Sequence, residues 1–161
     1  MEPLYRFEAS LTETVAVGLV PEGVRLDVHF DGQVKAGPFG GARVRGIDYV
    51  LLRADGVGVI DAYETLEGGD GRVVSAHAQG YIVPPEGVEL PPPDVLLSPD
   101  FSWPDLPLPI HGFALYRTGA SDLGHLNRTV ASFQGYVNVG AGQLVVEARE
   151  LSAASDPVAA A

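Results

Sequence analysis

The sequence predicts an all-β protein: a single antiparallel β-barrel of about eight strands with one long proline-rich loop. Three observations predict it. Stretches free of Gly and Pro, such as Leu4–Val17 and Gln143–Asp156, reach only 14 residues, which leaves little room for long helices. Short runs rich in β-branched and aromatic residues recur between turn signals, the pattern of half-buried strands. Asp-Gly pairs separate such runs at Asp55-Gly56 and Asp70-Gly71, as in tight antiparallel hairpins.

In chain order, the predicted strands are Leu4–Ala9, Val24–Phe30, Arg43–Arg53, Val57–Leu66, Arg72–Val83, Phe113–Arg117, Arg128–Val139 and Gln143–Leu151. The two Asp-Gly turns join the third, fourth and fifth strands into a meander. Gly37-Pro-Phe-Gly-Gly41 lacks the Lys-Ser/Thr ending of a phosphate loop and reads as a bend or bulge. Between Pro84 and Pro109 the chain holds nine of its 13 prolines, whose missing amide protons forbid a sheet interior. That segment, taken as 84–112, also carries Val95, Leu96, Leu97, Phe101, Trp103, Leu106 and Leu108, too apolar for a solvated linker. A lid over the barrel mouth and an ordered surface loop are equally open readings.

The 161 residues, 46 % hydrophobic and 19 % charged, suit one domain over 1–151 followed by a flexible tail at 152–161. Ten Lys and Arg against 21 Asp and Glu give a net charge of −11, which repels phosphate backbones and anionic membranes. Nucleic acid and membrane are therefore not expected partners. The acidic beginning lacks the basic region of a signal peptide, and no apolar run is long enough to span a bilayer, so a cytoplasmic protein is expected. With no cysteine, disulfides, thiolate nucleophiles and cysteine-based metal sites are excluded. His29, His111 and His125 lack paired metal-ligand spacing, and no nucleotide-binding or nucleophile-elbow motif is present. Neither a metal nor a cofactor is expected.

Oxygen and imidazole chemistry remains. A two-residue turn at Asp55-Gly56 pairs Ala54 with Val57 and places Asp48 opposite Tyr63. Asp48, Asp61 and Tyr63 then share one face. A three-residue loop would set Asp48 against Ala62 and Glu64 instead, but the Asp-Gly preference favours the shorter loop. Two carboxylates in an apolar cavity repel and lose hydration, so one becomes a general acid beside a general base, with Tyr63 donating to a developing oxyanion. The alternative is a pair of satisfied polar anchors. His77 shares a face with Ser75 and Gln79 and meets either Glu64 or the Tyr63 face, where an imidazole beside a carboxylate suits proton shuttling. Arg25 and, more weakly, Arg117 are candidates for an interior positive charge.

The motifs run in a recognisable order. Val17-Gly-x-x-Pro21-x-Gly23, Arg25, Gly37-Pro38 and Asp48-x-x-Leu-x-Arg53-x-Asp55-Gly56 are followed by Ile60-Asp61-Ala62, Thr65-Leu66, Asp70-Gly71, Gly80 and Leu126-Asn127-Arg128-Thr129. The chain thereby resembles the DUF3237 (UPF0311) family from about Leu4 to Leu151. The resemblance implies an antiparallel barrel similar to the calycin and allene oxide cyclase type, with a polar-lined pocket, and raises the prior for a cofactor-free isomerase or cyclase. It also marks departures. Tyr63, His77 and Gln79 stand where the family usually has arginine, Glu64 where it has tyrosine, and His125 where it has tryptophan. The expectation is a loss of interior cations and a preference for a neutral or less charged ligand. Within the family-matching stretch, Asn127 is the better pocket candidate, and His125 and Asn127 join Arg25, Glu64, Gln79 and Arg117 as candidate ligand contacts.

Taken together, these features predict a cofactor-independent isomerase, cyclase or lyase. Asp48, Asp61, Tyr63 and His77 would transfer protons on a small hydrophobic oxygenated substrate inside the barrel. The rival is a non-catalytic binding barrel, a carrier or sensor. A third reading makes the proline-rich segment a docking surface, and a homodimer is the expected assembly.

Overall fold

A computed structural model describes residues 2–152. The expected tail from residue 153 onward lies outside the described residues. Eight strands follow in order: β1 (Tyr5–Val20), β2 (Gly23–Ala36), β3 (Arg43–Leu52), β4 (Gly58–Glu67), β5 (Val73–Ile82), β6 (Leu108–Thr118), β7 (Val130–Asn138) and β8 (Gln143–Glu150). Helix α1 (Pro93–Leu96) is a single turn, and a 3-10 helix covers Ser121–Arg128. Each strand pairs antiparallel with the next, and β8 returns to β1, closing the barrel. The predicted fold class is the observed one.

Two boundaries differ from the expectation. β1 runs on to Val20, longer than predicted, because its distal part is exposed on both faces and its polar Ser10-Leu-Thr-Glu-Thr14 stretch hides the alternation. The proline-rich connection ends at residue 107 rather than 112, since β6 already begins at Leu108. Pro109 is tolerated there because only its carbonyl is needed: it accepts the Val83 N–H at 3.0 Å.

The first Asp-Gly turn is also a residue longer than predicted. The Gly56 N–H donates to the Arg53 carbonyl at 3.0 Å, and the Arg53 N–H to the Val57 carbonyl at 2.9 Å, enclosing Ala54, Asp55 and Gly56. A type I′ turn needs positive φ at both central residues. Among the described residues no non-glycine has positive φ, whereas Gly56 sits at 85°. The Asp55 side chain explains the preference: its Oδ1 accepts the Val57 N–H at 3.1 Å, a local turn bond that holds the longer loop. Gly68–Arg72 repeats the geometry, with Asp70 accepting the Arg72 N–H at 3.0 Å.

The longer loop shifts the β3–β4 register by one residue. Asp48 pairs with Ala62 and Gly46 with Glu64, and across β5 Glu64 pairs with Ala76. Val28, Asp48, Ala62 and Ala78 therefore face inward along one row, while Tyr63 and His77 pair on the outer wall.

Inward residues build the core. At one end Tyr5, Phe7, Val44, Leu66, Val74 and Tyr116 are almost wholly inaccessible, and the 3-10 helix adds buried Leu126. At the other end the 83–107 connection supplies Leu90, Leu96, Leu97 and Trp103, which pack against the core. Asn138 fastens this cover by donating to Asp105 at 2.7 Å.

Two glycine substitutions separate backbone strain from crowding. Gly56→Ala places its Cβ in open space, so only the left-handed conformation is penalised, and a loss of about 1 kcal/mol is expected. At Gly80 a Cβ would stand 2.1 Å from the His111 carbonyl oxygen, and Gly80→Ala should cost about 2–3 kcal/mol as β5 and β6 are forced apart. Urea denaturation of both variants checks the order.

Candidate functional site

The barrel encloses a cavity of about 80 Å³. Its walls are overwhelmingly apolar, with Phe7, Phe30, Val50, Ile60 and Phe133 among them, and Pro84, Leu90, Trp103 and Leu108 cover its mouth. Two carboxylates interrupt that lining, Asp48 from β3 and Glu64 from β4.

Small neighbours make room for Glu64. Gly46 lies beside it on β3 and Ala76 on β5, so its side chain enters the barrel without displacing the core, and the residue is only 6 % exposed. The Tyr5 hydroxyl donates to Glu64 Oε1 at 3.3 Å, and the Tyr116 hydroxyl donates to Tyr5 at 3.2 Å. Burial pushes the Glu64 carboxyl up to about 7, against the Tyr5 hydrogen bond and with a smaller push from Asp48. Burial likewise raises both tyrosines, so their hydroxyls remain protonated donors at neutral pH.

Asp48 does two things. β3–β4 pairing runs to Asp48↔Ala62 and resumes at Leu51↔Val59, and in that gap Asp48 Oδ1 accepts the Asp61 N–H at 3.0 Å, a carboxylate in place of a carbonyl. Burial drives its carboxyl up to about 7; the Asp61 N–H opposes the rise, the Asp61 charge adds to it and Arg25 draws it back. Asp48 keeps some accessible surface, and its side chain lines the cavity.

The other predicted residues lie elsewhere. Asp61, Tyr63 and His77 do share a face, but it is the outer wall: His77 Nε2 and Asp61 Oδ1 are 2.7 Å apart, and the Tyr63 and His77 rings stack with centroids 4.1 Å apart. Tyr63 is 52 % exposed. The expected grouping of Asp48 with Asp61 and Tyr63 is thus overturned by the longer turn. Gln79 pairs with Asp61 on the same outer face. Arg25 also faces outward, donating to Asp27 at 2.7 Å and lying over the Tyr49 ring. Exposed Arg117 donates to the Tyr116 carbonyl at 2.7 Å. His125 and Asn127 are exposed on the 3-10 helix, where Asn127 clamps Thr118, accepting its N–H at 2.9 Å and donating to its carbonyl at 3.0 Å. Sequence reasoning missed Tyr5 and Tyr116. The available signal was the alternation Tyr5-x-Phe7-x-Ala9 and Ala114-x-Tyr116, which puts both phenols inside.

The sequence profile of DUF3237, described as a protein of unknown function, matches residues 1–91. The chain belongs to this family. No curated protein matches it significantly. Solved structures share the fold, the following three among them. A protein of unknown function from Clostridium acetobutylicum aligns with a TM-score of 0.75 at 15 % identity, covering 94 % of this chain and 98 % of its own. A β-barrel-like protein from Acinetobacter baumannii gives 0.69 at 18 %, covering 94 % of both chains. A conserved protein of unknown function from Rhodopseudomonas palustris gives 0.64 at 17 %, covering 92 % and 94 %.

Against the DUF3237 pattern, the departures at Tyr63, His77 and Gln79 fall on the outer wall. The expected loss of interior cations therefore does not occur at these positions. The departure that changes the interior is Glu64.

Both carboxyls titrate higher in the folded protein than in the unfolded chain, so between about pH 4 and 7 the native state binds more protons. The stability these two groups contribute falls as pH rises through that window. Each group contributes a slope of at most about 1.4 kcal/mol per pH unit. Urea midpoints from pH 5 to 8 should decline, and Glu64→Gln should flatten the decline; an unchanged slope would contradict an ionising Glu64 in the cavity.

Proposed function

We propose that this DUF3237 protein is a cofactor-independent enzyme, an isomerase, cyclase or lyase, that works by proton transfer on a small, largely hydrophobic oxygenated substrate inside the barrel. The observation that supports the reading most directly is the pair Asp48 and Glu64, two carboxylates in an apolar cavity whose carboxyls both sit at about 7. Groups with pKa values near the operating pH are the most effective general acids and bases. Near neutrality one carboxylate accepts a proton while the other, still protonated, donates one. Tyr5 and Tyr116 form a hydroxyl chain behind Glu64 that stabilises its ionised form.

On this reading the 83–107 connection is a lid. Trp103 of this cover lines the cavity and packs edge-on against Phe101, so its movement would widen the way in. A cytoplasmic homodimer belongs to the same proposal, supported by exposed Tyr63, Phe113 and Leu115 on neighbouring outer strands.

Incubating the native protein with a bacterial metabolite extract and following substrate loss by mass spectrometry tests the proposal. Asp48→Asn keeps an acceptor for the Asp61 N–H, and Glu64→Gln keeps the shape of the side chain. Each should lower turnover about 100-fold or more, while Asp61→Asn on the outer wall stays within about threefold of wild type. A compound held but never converted by any of the proteins would establish the carrier or sensor reading instead.

A further inference from the structure

The charges of this molecule are sorted by wall. None of its ten Lys and Arg side chains lines the cavity, and seven are held in ion pairs with Asp or Glu, Arg25 with Asp27 and Arg45 with Glu67 among them. Inside stand two carboxylates with no basic partner. Each also has an oxygen left over: Asp48 uses Oδ1 for the Asp61 N–H, and Glu64 uses Oε1 for the Tyr5 hydroxyl. Asp48 Oδ2 and Glu64 Oε2 have no protein donor, yet no inaccessible side-chain oxygen among the described residues lacks a partner. The spare oxygens are therefore accessible, on two side chains that line the cavity. A donor must come from outside.

We propose that the cavity binds a small apolar molecule carrying one protonated amine, a short alkylammonium, with its nitrogen directed to the free oxygens of Asp48 and Glu64 and its carbon chain against the aromatic and aliphatic walls. The inference rests on the reading of the cavity as the ligand site, but not on catalysis. Several features favour this occupant over others. An anion would meet two carboxylates and no cation. A metal ion of the calcium or magnesium kind requires six or more oxygen ligands, whereas apolar side chains dominate here. An ammonium supplies three donors that form charge-assisted hydrogen bonds, and the aromatic side chains Tyr5, Phe7, Phe30, Phe133 and Trp103 line the cavity, where a ring turned toward a cation attracts it through its quadrupole. The volume, about 80 Å³, is below the ~150 Å³ of an apolar cavity that takes benzene. A chain of two to four carbons is the expected scale.

The groups facing the amine are Asp48 on β3, Glu64 on β4, and the Tyr5 and Tyr116 hydroxyls behind Glu64 on β1 and β6, with Asp61 of β4 and Arg25 of β2 acting on Asp48 from the outer wall. An incoming cation binds the ionised carboxylates. Near neutral pH its uptake therefore releases protons, and affinity rises with pH up to about 8.

Isothermal titration of the native protein with n-propylammonium, n-propanol and propionate provides the test. At pH 8 the ammonium should bind at least about tenfold tighter than the alcohol, a difference of about 1.4 kcal/mol, with propionate weakest. That margin should shrink toward pH 5.5, and the heat at pH 7 should change with the ionisation enthalpy of the buffer. Glu64→Gln should remove most of the amine preference and leave propanol within about twofold. Propanol or propionate binding as tightly as the ammonium would overturn the amine inference while leaving the cavity as a ligand site. Binding of none of the three at millimolar concentration would overturn both. The wild-type series decides the matter even if Glu64→Gln fails to fold.

Discussion

The register between β3 and β4 is the constraint on which the interior depends. Because side chains alternate along a strand, moving the pairing by one residue exchanges the two faces. The three-residue loop Ala54-Asp55-Gly56 sends Asp48 and Glu64 into the barrel and Asp61 and Tyr63 onto its wall. Packing reinforces the choice. Gly46 and Ala76 flank Glu64 with almost no side-chain volume, and a Cβ at Gly46 would meet the Phe30 ring at 2.8 Å. The opposite register would bring the large Tyr63 ring inward. Turn chemistry and core volume thus agree.

With that register set, the electrostatics of the molecule follow. The outer wall solvates its many charges, where Arg–carboxylate pairs add little to stability. The interior holds two carboxyls that water cannot reach freely, and desolvation outweighs every opposing contact each of them makes. Such groups are costly unless a partner completes them. One hydroxyl and one main-chain N–H are modest compensation. The protein accepts a penalty at the centre of its cavity, the behaviour expected of a functional site rather than of a core built only for stability.

The mouth and the outer wall complete the arrangement. At the mouth, Trp103 and Leu90 close the cavity with apolar surface, while the Asn138–Asp105 bond holds the cover to β7. On the wall, Tyr63 stacked on His77, with Asp61 beside the imidazole, forms a cross-strand cluster that ties β4 to β5. Histidine and tyrosine at those positions suggested chemistry in the sequence. In the fold they stand on the outer wall, away from the cavity.

Much of the fold was legible because it depends on local patterns. Alternating apolar residues, scarce helix-length runs and repeated turn residues specify strands wherever they occur, and eight predicted strands correspond to eight observed ones. The distal half of β1 escaped notice because exposure on both faces removes the alternation, and the start of β6 because its proline contributes a carbonyl but no donor. Asp48 and Glu64 were visible as candidates from the sequence by residue type and strand. Their partnership stood only as the alternative of a three-residue loop, and the Asp-Gly preference for a two-residue turn pointed away from it. Tyr5 and Tyr116, 111 residues apart, meet only because β8 closes onto β1 and brings both ends of the chain around one interior. The sequence by itself determined that this chain would form a barrel, through interactions a few residues long; only the tertiary structure decided which acids face its centre, because facing is a property of pairing between strands and not of any strand alone.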